Sequence, residues 1–341
     1  MSNLVGAFSA APRAVAVGSP MAGVSVGGPV IEGYAFSCSR TAGGDVSCWG
    51  QDTLGQRGRG DAGGAVVLSV PTPASAISAA VDVQAGGGHA CARHGDGGLS
   101  CWGNDNYGQL GRIVAGSIDR TPGSVTLPAA AAQVTTGEFH TCARLADGTI
   151  RCWGLDNFGQ LGRAGVTSSS PDAVPAPVSG VAGAIDVSAG SAHTCAVLLG
   201  GSVVCFGYDS NGQLGRGTVV VSSSTPALVA LPAGAVSVCA GFVHSCALLA
   251  DGTVMCWGYN DKGQLGNGVV SAGTVTPSQS AIPLVVTGLT GARAITCGGH
   301  HTCAIVANSQ AVCWGANDVG QLGAGLPPDA LPRPTPLPVA F

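Results

Sequence analysis

Charge is scarce in this chain: charged residues make up 9% of its 341 residues, Lys262 is the sole lysine, and the net charge is -4. No basic stripe exists, so the chain has almost nothing with which to hold a phosphate backbone or an anionic membrane surface. Glutamate occurs only as Glu32 and Glu138. A glycoside hydrolase needs two positioned carboxylates, and the unrepeated aspartates Asp61, Asp119, Asp172 and Asp329 read as members of scattered loops. No nucleophile elbow or Ser-His-Asp spacing is present. No apolar run reaches the roughly 18 residues of a membrane-spanning helix. The first residues, MSNLVGAFSAAPRAVAVGSP, lack a basic segment leading into a clean apolar one. Residues 1–25 read as a flexible N-terminal segment and 26–341 as a single domain. Asn-x-Ser/Thr acceptor sites are also missing.

What the chain does have is repetition. Six times a Cys is followed after nine residues by a second Cys and, usually, Trp-Gly, then by Gly-Gln-Leu-Gly or a close variant. The cleanest copy runs Cys246 to Gly266, and the period is 51 to 57 residues. A unit of that size cannot bury its own apolar face, so the units must stack on one another. Gly is abundant, at 56 residues, but 45% hydrophobic content excludes a disordered low-complexity chain.

Twelve of the fourteen cysteines form six pairs ten positions apart: Cys38/Cys48, Cys91/Cys101, Cys142/Cys152, Cys195/Cys205, Cys246/Cys256 and Cys303/Cys313. A turn signal such as Asp251-Gly252 sits between the members of each pair, flanked by short Val/Leu/Ile runs, which is a hairpin pattern. A three-residue loop Ala250-Asp251-Gly252, with Gly252 left-handed, sets Leu249 opposite Thr253 and Cys246 opposite Cys256. In that register the cysteines fall on a non-hydrogen-bonded pair, where Cα atoms lie about 4.5 Å apart, within disulfide reach. The sixth copy has Ser309 in place of Gly, so its turn is expected to differ. Reduced, packed cysteines are one alternative. A metal site is another, because His89, His140, His193, His244 and His301 each precede a first Cys by two residues and share its strand face. A fourth ligand is missing and Phe36 replaces the first His, so no metal is expected. Six disulfides imply an oxidising compartment. Cys239 and Cys297 lie outside the pattern, at different offsets from their histidines, and read as buried free thiols.

Short strands ending in Gly precede each His, and Pro-rich stretches with Val runs precede those. Each unit thus reads as four strands, in the order Pro-x-x-Val, inner strand, His-x-Cys strand and Cys-Trp-Gly strand, which suggests a propeller blade. The wording AGxxHTCALxxDGTVxCWGxNxxGQLG resembles the regulator-of-chromosome-condensation repeat family across residues 30 to 330. The resemblance implies an all-β propeller of four-stranded antiparallel blades, usually seven. Spacing here fits six blades best, with seven as the alternative. The C-terminal LPRPTPLPVAF is expected to complete the first blade beside Phe36-Ser37-Cys38 and so close the ring. Family members without the cysteines keep the His, which the resemblance makes a structural hydrogen-bonding residue. Trp49, Trp102, Trp153, Trp257 and Trp314, with Phe206 once in their place, alternate with Cys and are expected between blades. The Gln of Gly-Gln-Leu-Gly is expected to bond backbone in a tight turn.

Loops on a rigid scaffold carry function. The loops after Trp-Gly keep their ends and vary in the middle; their Asp and Asn residues read as turn chemistry. Their variable positions carry Tyr107, Phe158, Tyr208, Tyr259 and Lys262, the candidate partner-binding residues, although packing beneath the loop explains them equally well. Photoreceptor members of the family carry Trp beside the His, where this chain has Gly87, Glu138, Ser191, Phe242 and Gly299. Nucleotide-exchange members imply a reducing nucleus and a basic extension. Secreted bacterial members that use loop aromatics are nearer in style. The expectation is therefore a monomeric, non-catalytic, protein- or surface-binding scaffold outside the cytoplasm. It needs no cofactor and binds neither nucleic acid nor the membrane interior. An intracellular regulatory scaffold is the runner-up, and a carbohydrate-active enzyme stands third.

Overall fold

The computed structural model describes residues 20–27, 35–61, 68–270 and 278–340. It consists of six four-stranded antiparallel sheets arranged as propeller blades about a central channel. Blade one comprises β1 (Met21–Gly27), β2 (Phe36–Thr41), β3 (Val46–Gly50) and β4 (Leu68–Pro73). Blade two comprises β5 (Ala80–Ala85), β6 (His89–His94), β7 (Leu99–Asn104) and β8 (Ile118–Val125). Blade three follows with β9 (Ala131–Thr136), β10 (His140–Leu145), β11 (Ile150–Asp156) and β12 (Ser168–Pro177). Blade four is β13 (Ala184–Ala189), β14 (His193–Leu198), β15 (Val203–Tyr208) and β16 (Ser222–Val229). Blade five is β17 (Ala235–Ala240), β18 (His244–Leu249), β19 (Val254–Tyr259) and β20 (Gln279–Val285). Blade six is β21 (Ala294–Cys297), β22 (His301–Ile305), β23 (Ala311–Asn317) and β24 (Asp329–Pro338). Within each sheet the strands lie in chain order. Among the described residues no helix is long and apolar enough to cross a membrane.

The phase of the repeat differs from the sequence reading. The Pro-rich strand is the fourth strand of its own blade, not the first of the next: β8, for example, pairs with β7. Two expectations change with it. The C-terminal strand β24 pairs with β23 and completes blade six, so it does not close blade one. The inner strand of blade one is β1, paired with β2. The boundary at residue 25 therefore falls inside a strand, while residues 1–19 lie outside the described ones. Outer and inner strands of neighbouring blades are consecutive in the chain, and the sequence cannot show which sheet claims the connecting strand.

The hairpin register is the expected one. Leu248 stands opposite Val254, Ala247 opposite Met255 and Cys246 opposite Cys256. Leu249 donates its N–H to Thr253 O and accepts from Gly252 N, with Gly252 at φ +84°, as a type I turn with a left-handed third residue requires. All six expected pairs are disulfides: Cys38–Cys48, Cys91–Cys101, Cys142–Cys152, Cys195–Cys205, Cys246–Cys256 and Cys303–Cys313. Their Cα atoms are 4.0 or 4.1 Å apart. In blade six the turn is instead a short 3-10 segment, Ala307–Ser309, but Cys303 still faces Cys313. Elsewhere the turn glycine packs against the backbone of the next blade, as Gly252 does on Gly291 and Gly201 on Gly234. Ser309 is exposed and takes a positive φ of 59°.

Cys239 and Cys297 are not free thiols. They form a seventh disulfide, with Cα atoms 5.4 Å apart, and join the inner strands of blades five and six. Their unequal offsets are what makes the bridge: Cys239 stands opposite Cys246, and Cys297 opposite Thr302, one register place further on.

Side-chain alternation builds the seams between blades. The paired cysteines face the next blade and the Trp faces the preceding one. Between blades four and five, Cys195, Val197, Val203 and Cys205 pack on Ala235, Val238, Ala247, Leu249, Met255 and Trp257. Each disulfide of blades one to five thus lies inside an interblade core. A polar line crosses the same seam. His193 Nε2 lies 2.9 Å from Ser245 Oγ, which donates to Gln213 O at 2.9 Å, and Trp257 Nε1 donates to the same carbonyl at 2.8 Å. His89 with Thr141, His140 with Thr194 and His244 with Thr302 repeat the arrangement. Because the hydroxyl hydrogen goes to the carbonyl, the imidazole must donate from Nε2. A glycine makes room for the ring: a Cβ on Gly137 would fall 2.5 Å from His140 Nδ1.

Five such cores serve six blades. At the seam between blades six and one, no His301–Ser37 or Trp49–Gln321 bond forms among the described residues. Val24 is 61% exposed there, whereas its counterpart Val83 is 3% exposed between blades one and two. Trp49 is only half-buried, unlike the other four tryptophans.

Candidate functional site

The loops after Trp-Gly are rigid by construction. In each, the second residue accepts a bond from an N–H five residues on: Asp52 from Arg57, Asp105 from Leu110, Asp156 from Leu161, Asp209 from Leu214, Asn260 from Leu265 and Asn317 from Leu322. The Gln of the following Gly-Gln segment accepts from the N–H at the loop tip, as Gln109 does from Tyr107, Gln160 from Phe158 and Gln264 from Lys262. The expected turn chemistry is therefore present, and it fixes the tip residue against the blade beyond. Burial raises the carboxyls of Asp156 and Asp209 to about 6, opposed by the leucine amides and by Arg163 and Arg216. Asp105 is raised for the same first reason.

Three of the five candidate residues converge. Phe158, Tyr208 and Tyr259 line one cavity of about 480 Å³, at the loop end of blades three to six. Phe242, Val243 and His300 complete its apolar wall, with Ser191 and Asn211 as polar members. Phe158 packs on Tyr208 with ring centroids 4.9 Å apart, and Phe242 on His300 at 5.6 Å. Burial first, and then the charge of Lys262, holds His300 below the usual imidazole range, against the pull of Asp261 and Asp318. The ring is thus neutral near pH 7 and presents an uncharged polar edge. Ser191 and Phe242 also line the channel of about 840 Å³, so the cavity opens beside its mouth.

The other two candidates lie apart. Tyr107 packs edge-on against Phe139, with centroids 5.2 Å apart, and does not reach the cavity. Lys262 is half-buried beside His300 without lining the cavity. The hairpin cysteines serve the scaffold and not the site. Cys38, Cys48, Cys91, Cys101, Cys142 and Cys152 are fully buried in their seams and line neither the cavity nor the channel. Nor do Cys195, Cys205, Cys246, Cys256, Cys303 or Cys313. Sequence reading missed Phe242 and His300. Both occupy the one or two places before the repeated His, which vary freely among copies, and that variability was the available signal.

The unrepeated aspartates are each paired with an arginine. Asp119, Asp172 and Asp329 sit on the outer strands β8, β12 and β24 rather than in scattered loops. Each meets an arginine, Arg112, Arg163 and Arg333 respectively, and Asp61 meets Arg59. Four of the five histidines that precede the cysteines are spent on hydroxyls in the seams. Burial lowers His89 and His140 to about 3 and His193 to about 4, and holds His244 well below its ordinary value.

Six four-stranded blades with an apolar, aromatic-walled cavity at one rim define the class: a β-propeller. The chain belongs to the RCC1-like domain family, whose pattern matches residues 30–340. It is 29% identical over 295 residues to the ultraviolet-B receptor UVR8 of Arabidopsis thaliana, covering 82% of this chain and 63% of that protein. It is 30% identical over 297 residues to the human E3 ubiquitin-protein ligase HERC2, covering 84% of this chain and 6% of that protein. The chain thus spans less than two thirds of the length of these relatives. Human WBSCR16 shares the fold, with a TM-score of 0.83 and 22% identity over 97% of this chain and 85% of that one. So does yeast RCC1 (Prp20), solved with Kap60, with a TM-score of 0.79 and 22% identity over 94% and 75%.

Proposed function

We propose that this propeller is a non-catalytic scaffold that binds a partner protein through the aromatic cavity at its rim. The observation that carries this reading is the convergence of Phe158, Tyr208, Phe242 and Tyr259 on one cavity beside the channel mouth. These four side chains come from three blades: Phe158 donates its N–H to Gln160 Oε1 in its turn, and the backbone amides of Tyr208, Phe242 and Tyr259 donate to Ala192 O, Gly299 O and Val243 O. An aromatic-walled pocket of this size receives an apolar side chain from a partner surface, the arrangement found at interface hot spots. A related chain supports the analogy: yeast Prp20p, similar in fold, was studied for its binding to Gsp1p and histones.

The seven disulfides support a place of action outside the cytoplasm, in a secreted, periplasmic or cell-surface setting. Cysteine accounting tests this part of the reading. Protein taken from its native source and denatured in an alkylating reagent carries no reactive thiol if the reading holds. About fourteen alkylated cysteines would point to the intracellular regulatory scaffold instead. For the cavity, Tyr208→Ala and Tyr259→Ala weaken partner binding at least tenfold each while leaving thermal stability near that of the parent. Tyr107→Ala, outside the cavity, leaves binding unchanged. Equal loss from all three substitutions would remove the cavity from the mechanism.

A further inference from the structure

Three cysteine sulfurs meet at the channel wall, two lining it and one buried behind it. Cys239, Cys246 and Cys297 have their Sγ atoms within 4.8 Å of one another. Two disulfides meet there: Cys239–Cys297, which crosses the seam, and Cys246–Cys256, which staples the hairpin of blade five. Cys239 and Cys297 line the channel, and Cys297 is half-buried, whereas Cys246 and Cys256 are fully buried.

Other seams show what the crossing bond replaces. Ser25 Oγ accepts from Ala85 N at 2.9 Å, Thr135 Oγ1 from Ala189 N at 3.0 Å and Ser188 Oγ from Ala240 N at 3.0 Å. Each hydroxyl stands opposite the first cysteine of its own hairpin, where Cys239 stands in blade five. Cys297 occupies the place of Ala85, Ala189 and Ala240 in the next blade. The cross-link is therefore a covalent version of a repeated hydroxyl–amide joint. A hydroxyl would hold that joint without bringing a second disulfide within reach of the first.

We propose that Cys239, Cys246 and Cys297 form a thiol–disulfide exchange site, opened by a small monothiol that enters the channel. The thiolate attacks Sγ of Cys297, the more exposed sulfur. A mixed disulfide forms on Cys297, the Cys239–Cys297 bond breaks, and its electron pair leaves on Cys239. The Cys239 thiolate then attacks Sγ of Cys246. A Cys239–Cys246 bond forms, the Cys246–Cys256 bond breaks, and Cys256 leaves as a thiolate that takes a proton from water. Two disulfides and one thiol enter, and two disulfides and one thiol remain, so no further oxidant or reductant is needed. The seam cross-link is replaced by a bond within blade five, and the new thiol lies in the interblade core.

Non-reducing peptide mapping tests the proposal. Chymotryptic cleavage after Phe242 places Cys239 and Cys246 on separate peptides. In the parent protein incubated with glutathione, the expected products are a glutathione adduct on Cys297, a Cys239–Cys246 cross-linked peptide and a Cys256 thiol that is alkylated only after denaturation. Adducts confined to Cys303 or Cys313, whose pair is the other partly exposed one, would overturn it, as would an intact Cys246–Cys256 pair beside a modified Cys297. The Cys297→Ser variant gives an independent reading, because Cys239 is then unpaired from the start. Cys239–Cys246 with free Cys256 supports the site, and free Cys239 beside an intact Cys246–Cys256 refutes it.

Discussion

Lowering the pH from 7 to 5 should weaken the propeller through its seam histidines. His89, His140, His193 and His244 are fully buried, and each spends its Nε2–H on a hydroxyl of the next blade. Their Nδ1 atoms have no partner, so a second proton would put an unsolvated charge in an apolar seam. Folded values lie near 3 or 4, or well below the ordinary value for His244, against about 6.5 unfolded. The unfolded chain therefore binds more protons than the folded one below about pH 6.5. Stability contributed by these groups is complete above that pH and is lost as the pH falls towards the folded values. At pH 5 each of His89, His140 and His193 costs about 2 kcal/mol, about 6 kcal/mol together, and His244 adds a loss of the same sign. That is comparable with the whole stability of an ordinary domain. Urea unfolding followed by tryptophan fluorescence, with the disulfides intact, measures it at pH 7, 6 and 5. A midpoint that stays constant from pH 7 to 5 would refute the assigned tautomers and the burial argument together.

Two further substitutions probe the repeat itself. Asp209 has its value raised to about 6 by burial, so the folded state holds its proton more tightly and stability falls as the pH rises from about 4 to 6. Asp209→Asn should remove that fall and add about 1 kcal/mol at pH 7 after allowance for solvent screening, with no gain at pH 4. Asn260 already fills this place in blade five and accepts from Leu265 N at 3.0 Å; a variant less stable at pH 7 would contradict the assignment. Trp257→Phe removes the bond to Gln213 O but leaves that carbonyl bound by Ser245. Phe206 shows that the seam accepts Phe, so the cost in urea unfolding should be about 2 kcal/mol, and a loss of folding would mean the Trp bond is indispensable.

The hairpins were legible because their register is a local matter. A left-handed Gly252 and a count of alternating residues place Cys246 opposite Cys256 without reference to the rest of the chain. The same count places Cys48, Cys101 and Cys152 opposite Cys38, Cys91 and Cys142. Strand assignment across blades was not legible, since the Pro-rich strand could pair with either neighbouring sheet and only packing decides. For the same reason β24 was misplaced and β1 was read as part of a tail. The Cys239–Cys297 bridge needs two strands 58 residues apart to lie side by side in a staggered register, and no single repeat carries that information. Of the rim cavity, the share from the variable segments after the Trp-Gly strand was readable in Phe158, Tyr208 and Tyr259. Phe242 and His300 were hidden because they come from a different variable position, brought alongside by the neighbouring blade.

The central claim is that a partner protein docks in the rim cavity. A photo-crosslinking residue placed at Tyr259, and separately at Leu228 on the exposed outer strand β16, tests it most directly in the cells that make the protein. The account predicts one discrete protein adduct from position 259, abolished by excess unlabelled parent protein but not by excess of a Tyr208→Ala, Tyr259→Ala competitor, and none from position 228. Discrete adducts from position 228 with none from 259, or equal competition by the doubly substituted protein, would contradict it.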